Sequence, residues 1–360
     1  MSTQSSVQRA AMLLALAGAL AGCSPPPTEV AIEPPAGATI VARSVSAEPP
    51  LAGADAAWSK APATEIAIYP QTGVPPAEAA DARPATVSVR ALFGGGVLAL
   101  RLEWADTAPD AQHDVGRFAD AAAVQWPAGS GEPLDLPYVG MGHHGAPVAL
   151  WFWRADGTVQ TLAAEGLGTL SEQAPDGVQA EGAWQDGIWR VVFRRRLAAG
   201  TGEHAVELDP AQRPLAPLAL AVWNGADAQR NGLKRLSSWQ VLYFEGGAAD
   251  AAYPARQLGT PPAAADPESG RRLMSEKGCI ACHVYPDNPA RPHIGPDLTY
   301  AGGIHSVRYL IDSLLEPSRV VVPGKGYFSV QDGKRVSLMP PFAGTAQERD
   351  DIVAYLLDRR

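Results

Sequence analysis

Cys279-Ile280-Ala281-Cys282-His283 decides how the C-terminal third of this 360-residue chain is built. Two thiols three positions apart, followed at once by an imidazole, have the C-x-x-C-H spacing of a covalent haem attachment site. Cys279 and Cys282 would each form a thioether to a haem vinyl group, and His283 would give the iron its first axial ligand. A redox dithiol or half of a zinc site could use the same spacing. Zinc would want a second pair of ligands, and the one remaining cysteine, Cys23, lies 256 residues upstream.

Downstream, a second axial ligand is expected on the opposite face of the porphyrin, with Met or His as the usual donors. Met339 follows His283 by 56 residues and precedes Pro340-Pro341, which stop a helix and favour an extended loop. Helices are predicted on either side of this loop. Asp266 reads as an N-cap with Pro267 at the first helical position. Val307, Leu310, Ile311, Leu314 and Leu315 make an amphipathic run. Thr345-Ala346-Gln347-Glu348 is a capping box leading into Ile352, Val353, Leu356 and Leu357, with Arg359 and Arg360 in the last turn. Helix, haem loop, helix, methionine loop, helix resembles class I cytochrome c over residues 267–360. Ile294-Gly295-Pro296-Asp297-Leu298 is similar to that family's loop, whose proline carbonyl orients the axial histidine. The resemblance implies a six-coordinate electron carrier with His283 and Met339 on iron.

Residues 1–23 read as an export signal. Arg9 precedes the apolar run 10–21, too short to span a bilayer. Leu20-Ala21-Gly22-Cys23 looks like a bacterial lipoprotein box, implying cleavage before Cys23 and a lipid on its thiol. Ser24-Pro25-Pro26-Pro27 opens a Pro/Ala-rich flexible tether over 24–39. The expected location is the bacterial cell envelope on the periplasmic side, with the membrane reached through the lipid anchor only.

The chain carries a formal charge of −9, and residues 267–360 hold twelve basic against eleven acidic side chains, so the acidity lies upstream. Without a basic cluster, nucleic-acid binding is not expected. Residues 250–266 are rich in Ala, Pro and Gly and are predicted to be a linker. Between 40 and 249 the period changes to two. Leu98, Leu100, Leu102 and Trp104 alternate with Ala99, Arg101 and Glu103, and the run pairs with Val87–Ala91 across Gly94-Gly95-Gly96. Asp186-Gly187 marks a second hairpin, and further strands read at 147–154, 218–223 and 239–244. The expectation is a multidomain chain in which an antiparallel β-sandwich (40–249) precedes an all-α cytochrome c domain.

Two residues of the sandwich are distinctive. Met141 lies between Gly140 and Gly142, which let a flat ligand approach the backbone. Lys234 is the only lysine between Lys60 and Lys277, and lysine, unlike arginine, can lose its proton on burial and offer a lone pair. Residues 117–127, Met141-Gly142 with 147–156, and Trp223-Asn224-Gly225 through Lys234 to Trp239 resemble the haem-binding gamma subunit of the ethylbenzene dehydrogenase family. That resemblance implies a non-covalent b haem between Met141 and Lys234, although the adjacent His143 and His144 are alternative donors. It further implies an electron-transfer subunit with no catalytic residues of its own. It would connect through an iron–sulfur subunit to a molybdenum enzyme, with a cytochrome or quinone-linked carrier at the other end. The competing reading is a monohaem cytochrome c fused to a carbohydrate- or ligand-binding sandwich, with its Trp residues stacking on sugar faces.

Overall fold

The computed structural model describes residues 34–71, 83–129, 132–133, 135–198, 200, 202–288, 290, 292, 294–322 and 327–360. Cys23 and its surroundings lie outside these residues. Among the described residues no helix is long and apolar enough to cross a membrane.

Among the described residues, thirteen strands form the first part: β1 (Ile40–Ser44), β2 (Thr64–Pro70), β3 (Ala85–Gly94), β4 (Val97–Ala105), β5 (Ala121–Pro127), β6 (Val148–Arg154) and β7 (Val159–Ala164). They continue with β8 (Ser171–Glu172), β9 (Gln179–Gln185), β10 (Ile188–Arg196), β11 (Leu215–Trp223), β12 (Arg235–Leu236) and β13 (Gln240–Phe244). Hydrogen bonding links them in the order β8-β7-β6-β5-β11-β12-β2-β3-β4-β10-β9, with β13 on β11 and β1 on β13 and β3. Strand β11 joins the two layers, because its first half pairs with β13 and its second half with β5 and β12. The result is one sheet folded over on itself, antiparallel except for β1, which runs parallel to both of its neighbours.

The alternating pattern explains which face turns inward. Leu98, Leu100, Leu102 and Trp104 of β4 enter the central core with Val191 and Phe193 of β10 and Val124, Trp126, Trp151 and Trp153 from the opposite layer. Trp153 meets Trp189 edge-on at 5.1 Å, an aromatic contact that bridges the layers. Both predicted hairpins form, with Gly94 opposite Val97 and Gln185 opposite Ile188. At the second, Asp186 and Gly187 take φ of 53° and 82°, as a type I′ turn requires. Ala99, on the other face of β4, is buried as well, because the 3₁₀ turn Ala56–Lys60 lays Trp58 over it in a small satellite core.

The segment 250–266 is not featureless. It contains helix α1 (Tyr253–Leu258), whose Tyr253 packs on Leu215, Val241 and Tyr243 of the sheet. Beyond it come α2 (Pro267–Glu276), α3 (Ala301–Ile304), α4 (Val307–Leu315), β14 (Phe328–Gln331), β15 (Lys334–Ser337) and α5 (Ala346–Leu357). Asp266 caps α2, and Thr345 with Glu348 forms the full capping box of α5. Helices α2, α4 and α5 enclose a core of Leu273, Met274, Leu310, Leu314, Ile352, Val353, Tyr355 and Leu356. Leu315, expected on the inner stripe of α4, is 44 % exposed, because that helix ends there. Arg359 and Arg360 fall beyond the end of α5 rather than in its last turn. The all-α expectation also missed the hairpin β14–β15, turned by Asp332-Gly333 at φ of 51° and 76°.

Candidate haem sites

The first site begins at the end of α2. Gly278, at φ 81°, turns the chain out of the helix into a 3₁₀ turn over Cys279–Ala281. Both thiols are free and half-buried. His283 is buried, and its Nδ1 lies 2.9 Å from the Pro296 carbonyl oxygen. That contact makes Nδ1 the protonated nitrogen and leaves Nε2 as the metal donor. Burial lowers the imidazole pKa, which keeps the ring neutral, as ligation requires. Gly295 permits the close approach of the two segments: a Cβ there would come within 2.9 Å of the His283 ring.

Asn288 secures the same loop. It is 1 % exposed and donates from Nδ2 to the carbonyls of Ile280 at 2.8 Å and His283 at 2.7 Å. Nothing in the sequence pattern had marked it. Met339 is half-buried and packs on the helical core, as do Cys279, Ile280 and Leu298. Its amide donates to Ser337 Oγ at 3.1 Å, while the Leu338 amide donates to the Tyr327 carbonyl at 2.9 Å, so the hairpin β14–β15 delivers the methionine loop. Two thiols, a neutral oriented imidazole and a thioether on one small apolar core fit a covalently attached haem.

The second site lies on the outer face of β5, β6, β7 and β11. There Ala121, Ala123, Ala164, Ala219 and Ala221 leave a low surface bordered by Tyr69, Leu150, Trp223, Leu236 and Trp239. Met141 closes over it from a loop pinned by Tyr138, whose carbonyl accepts from the Gly142 amide at 2.7 Å. Met141 itself has φ 89°, a strained conformation for a side chain of its kind. Lys234, the residue immediately before β12, reaches the same place. It is 6 % exposed, its Nζ donates to Met141 Sδ at 3.2 Å, and it lies 5.3 Å from the Trp223 ring centroid. Burial alone pulls its pKa down to about 8, and no carboxylate offsets it among the described residues.

An uncompensated buried amine beside a thioether is poor structural design but suits a metal that accepts both donors. The two atoms are in contact, so a haem iron held between them would part them. His143 and His144 are placed differently. His143 Nδ1 accepts the Tyr138 amide at 3.1 Å, which commits that nitrogen to the loop, and the His144 side chain is 95 % exposed beside Glu165.

These features define a cytochrome c domain joined to a β-sandwich. Residues 267–359 match the Cytochrome c family model, and residues 55–177 match the Ethylbenzene dehydrogenase model. The chain is 32 % identical to the chlorate reductase subunit gamma of Ideonella dechloratans over 204 residues, 54 % of this chain and 82 % of that one. It is 34 % identical over 190 residues to a protein of Haloferax mediterranei named as a respiratory nitrate reductase heme subunit, covering 52 % and 66 %. It is also 34 % identical over 145 residues to the dimethylsulfide dehydrogenase subunit gamma of Rhodovulum sulfidophilum, covering 38 % and 52 %. The chain belongs to the ethylbenzene dehydrogenase family of gamma subunits and carries a cytochrome c domain. A family 9 carbohydrate-binding module from Caldicellulosiruptor kristjanssonii covers 59 % of this chain and 97 % of its own at 11 % identity, but its TM-score of 0.35 carries no argument about ligand.

Proposed function

We propose that this protein is a dihaem electron-transfer subunit of a molybdenum oxidoreductase. A c haem would be held by Cys279 and Cys282 with His283 and Met339 on iron, and a b haem would be clamped by Met141 and Lys234. Each group, when bound, supplies a reversible one-electron couple, and two protein ligands on each iron leave no open position for substrate. The chain's own residues do the rest. Pro296 fixes the tautomer of His283, and the apolar face around Ala121, Ala123, Ala219 and Ala221 keeps water from the second iron. Lys234 would hold the iron as the neutral amine, its Nζ proton passing to solvent.

In the same reading, electrons pass between an iron–sulfur subunit of the partner enzyme and a cytochrome or quinone-linked carrier. Cys23 would anchor the chain by a lipid on the periplasmic side. Membership in a family of gamma subunits supports the partner class, and the contact of Lys234 with Met141 is the observation that carries the second haem. Pyridine haemochrome analysis tests it. Two haems per chain, one of them extractable by acidic acetone, are expected; a single, covalently bound haem overturns the dihaem assignment.

A further inference from the structure

The cytochrome c domain meets the sandwich at the loop that carries Met141. Asp135, six residues before Met141, receives both Arg308 of α4 and Arg319 just beyond it, one guanidinium on each carboxylate oxygen. Arg319 is also held by Asp312 at 2.9 Å. Behind these ion pairs three rings stack. Tyr138 from the Met141 loop faces His305 at 5.7 Å and Tyr309 of α4 at 5.5 Å, and His305 lies on Tyr309 at 4.5 Å with 28° between their planes. His305 Nδ1 is fully enclosed and has no hydrogen-bond partner among the described residues, so the ring contributes through stacking.

The contact extends on both sides. Ile304 and Tyr300 pack into the apolar cluster that includes Met141, and Tyr300 lies 5.7 Å from Tyr69. Gly303 lets this happen, since a Cβ there would come within 2.5 Å of the Tyr69 ring. The same helix α4 supplies Leu310 and Leu314 to the core against which Cys279 and Met339 pack. One seam thus touches the supports of both sites.

We infer that Asp135 and the Tyr138, His305 and Tyr309 stack are positioning residues that lock the two haem sites together, so that electrons cross between them within one molecule. This rests on the dihaem reading. The step is the simplest possible: one electron leaves the ferrous iron of one site and reduces the ferric iron of the other, with no bond made or broken. Docking raises the rate because a partner held in place needs no encounter, whereas an undocked domain on a chain segment must search.

The experiment uses the full haem-loaded chain with Asp135→Glu, Asp135→Asn and Asp135→Arg. Haem content and both midpoint potentials are measured first. Then the redistribution of one photochemically injected electron is followed in the separate α bands of the two haems. The parent should transfer at a rate independent of protein concentration, and Asp135→Glu should match it. Asp135→Arg, which sets a cation against two others, should be slower by at least about tenfold at unchanged potentials. Asp135→Asn should fall between them and serves if the reversal disturbs folding. Two haems and the parental rate in both Asp135→Asn and Asp135→Arg would overturn this inference alone. One haem in the parent would overturn the dihaem reading and this inference with it.

Discussion

Lys234 Nζ rests 3.2 Å from Met141 Sδ, although 93 residues separate the two in sequence, and neither side chain exposes more than 8 % of its surface. A buried amine with no counter-charge among the described residues opposes folding. Its pKa in the folded chain is about 8 against an ordinary 10.5. The unfolded chain therefore binds more protons between those values, and stability rises with pH across that window. Lys234→Met should stabilise the haem-free protein by about 1–3 kcal/mol at pH 7 and flatten that rise. The same variant should lose the acid-extractable haem. A stability gain with haem content unchanged would contradict the assigned role; thermal denaturation and pyridine haemochrome read the two effects.

Met339→Ala should leave the c haem attached, because the thioethers to Cys279 and Cys282 are untouched. The weak sulfur-to-iron charge-transfer band of the ferric protein should vanish and the potential should fall, since Met ligation raises it. Absorption spectroscopy and a redox titration check both effects.

Asn288→Ala removes the Nδ2 hydrogen bonds to the part-buried Ile280 carbonyl and the buried His283 carbonyl. Leaving them unsatisfied should cost about 2–4 kcal/mol, and denaturant unfolding of the cytochrome c domain measures it. Gly295→Ala should act more locally by pushing on the His283 ring, and is expected to shift the c-haem spectrum more than the unfolding midpoint.

His305 gives a second pH dependence. Burial lowers its pKa to about 4 from an ordinary 6.5. Between those values the unfolded chain takes up the proton that the folded one refuses, so stability should rise from pH 4 to 6.5 and level off above. His305→Phe keeps an aromatic ring in the stack and should flatten this rise, as unfolding midpoints across the range would show.

Much of this architecture could be read from local pattern. The alternation of β4, the Asp186-Gly187 turn and the caps at Asp266 and Thr345 are short-range signals that the tertiary structure did not override. The hairpin β14–β15 was legible too, since Asp332-Gly333 carries the same turn chemistry as Asp186-Gly187, but the expected helical domain hid it. Helix α1 was less visible, because its apolar residues make sense only against Leu215 and Val241. Asn288, and the meeting of Tyr138 with His305 and Tyr309, left no periodic trace. Such contacts depend on segments brought together by the fold, and spacing along the chain does not encode them.

Because α1 lies fixed on the sheet and Asp135 grips α4, the cytochrome is not an interchangeable cartridge at the end of a leash. Anyone grafting a different electron carrier onto this sandwich would have to transplant the landing surface as well, from Ile304 through Arg319, or accept a carrier that wanders.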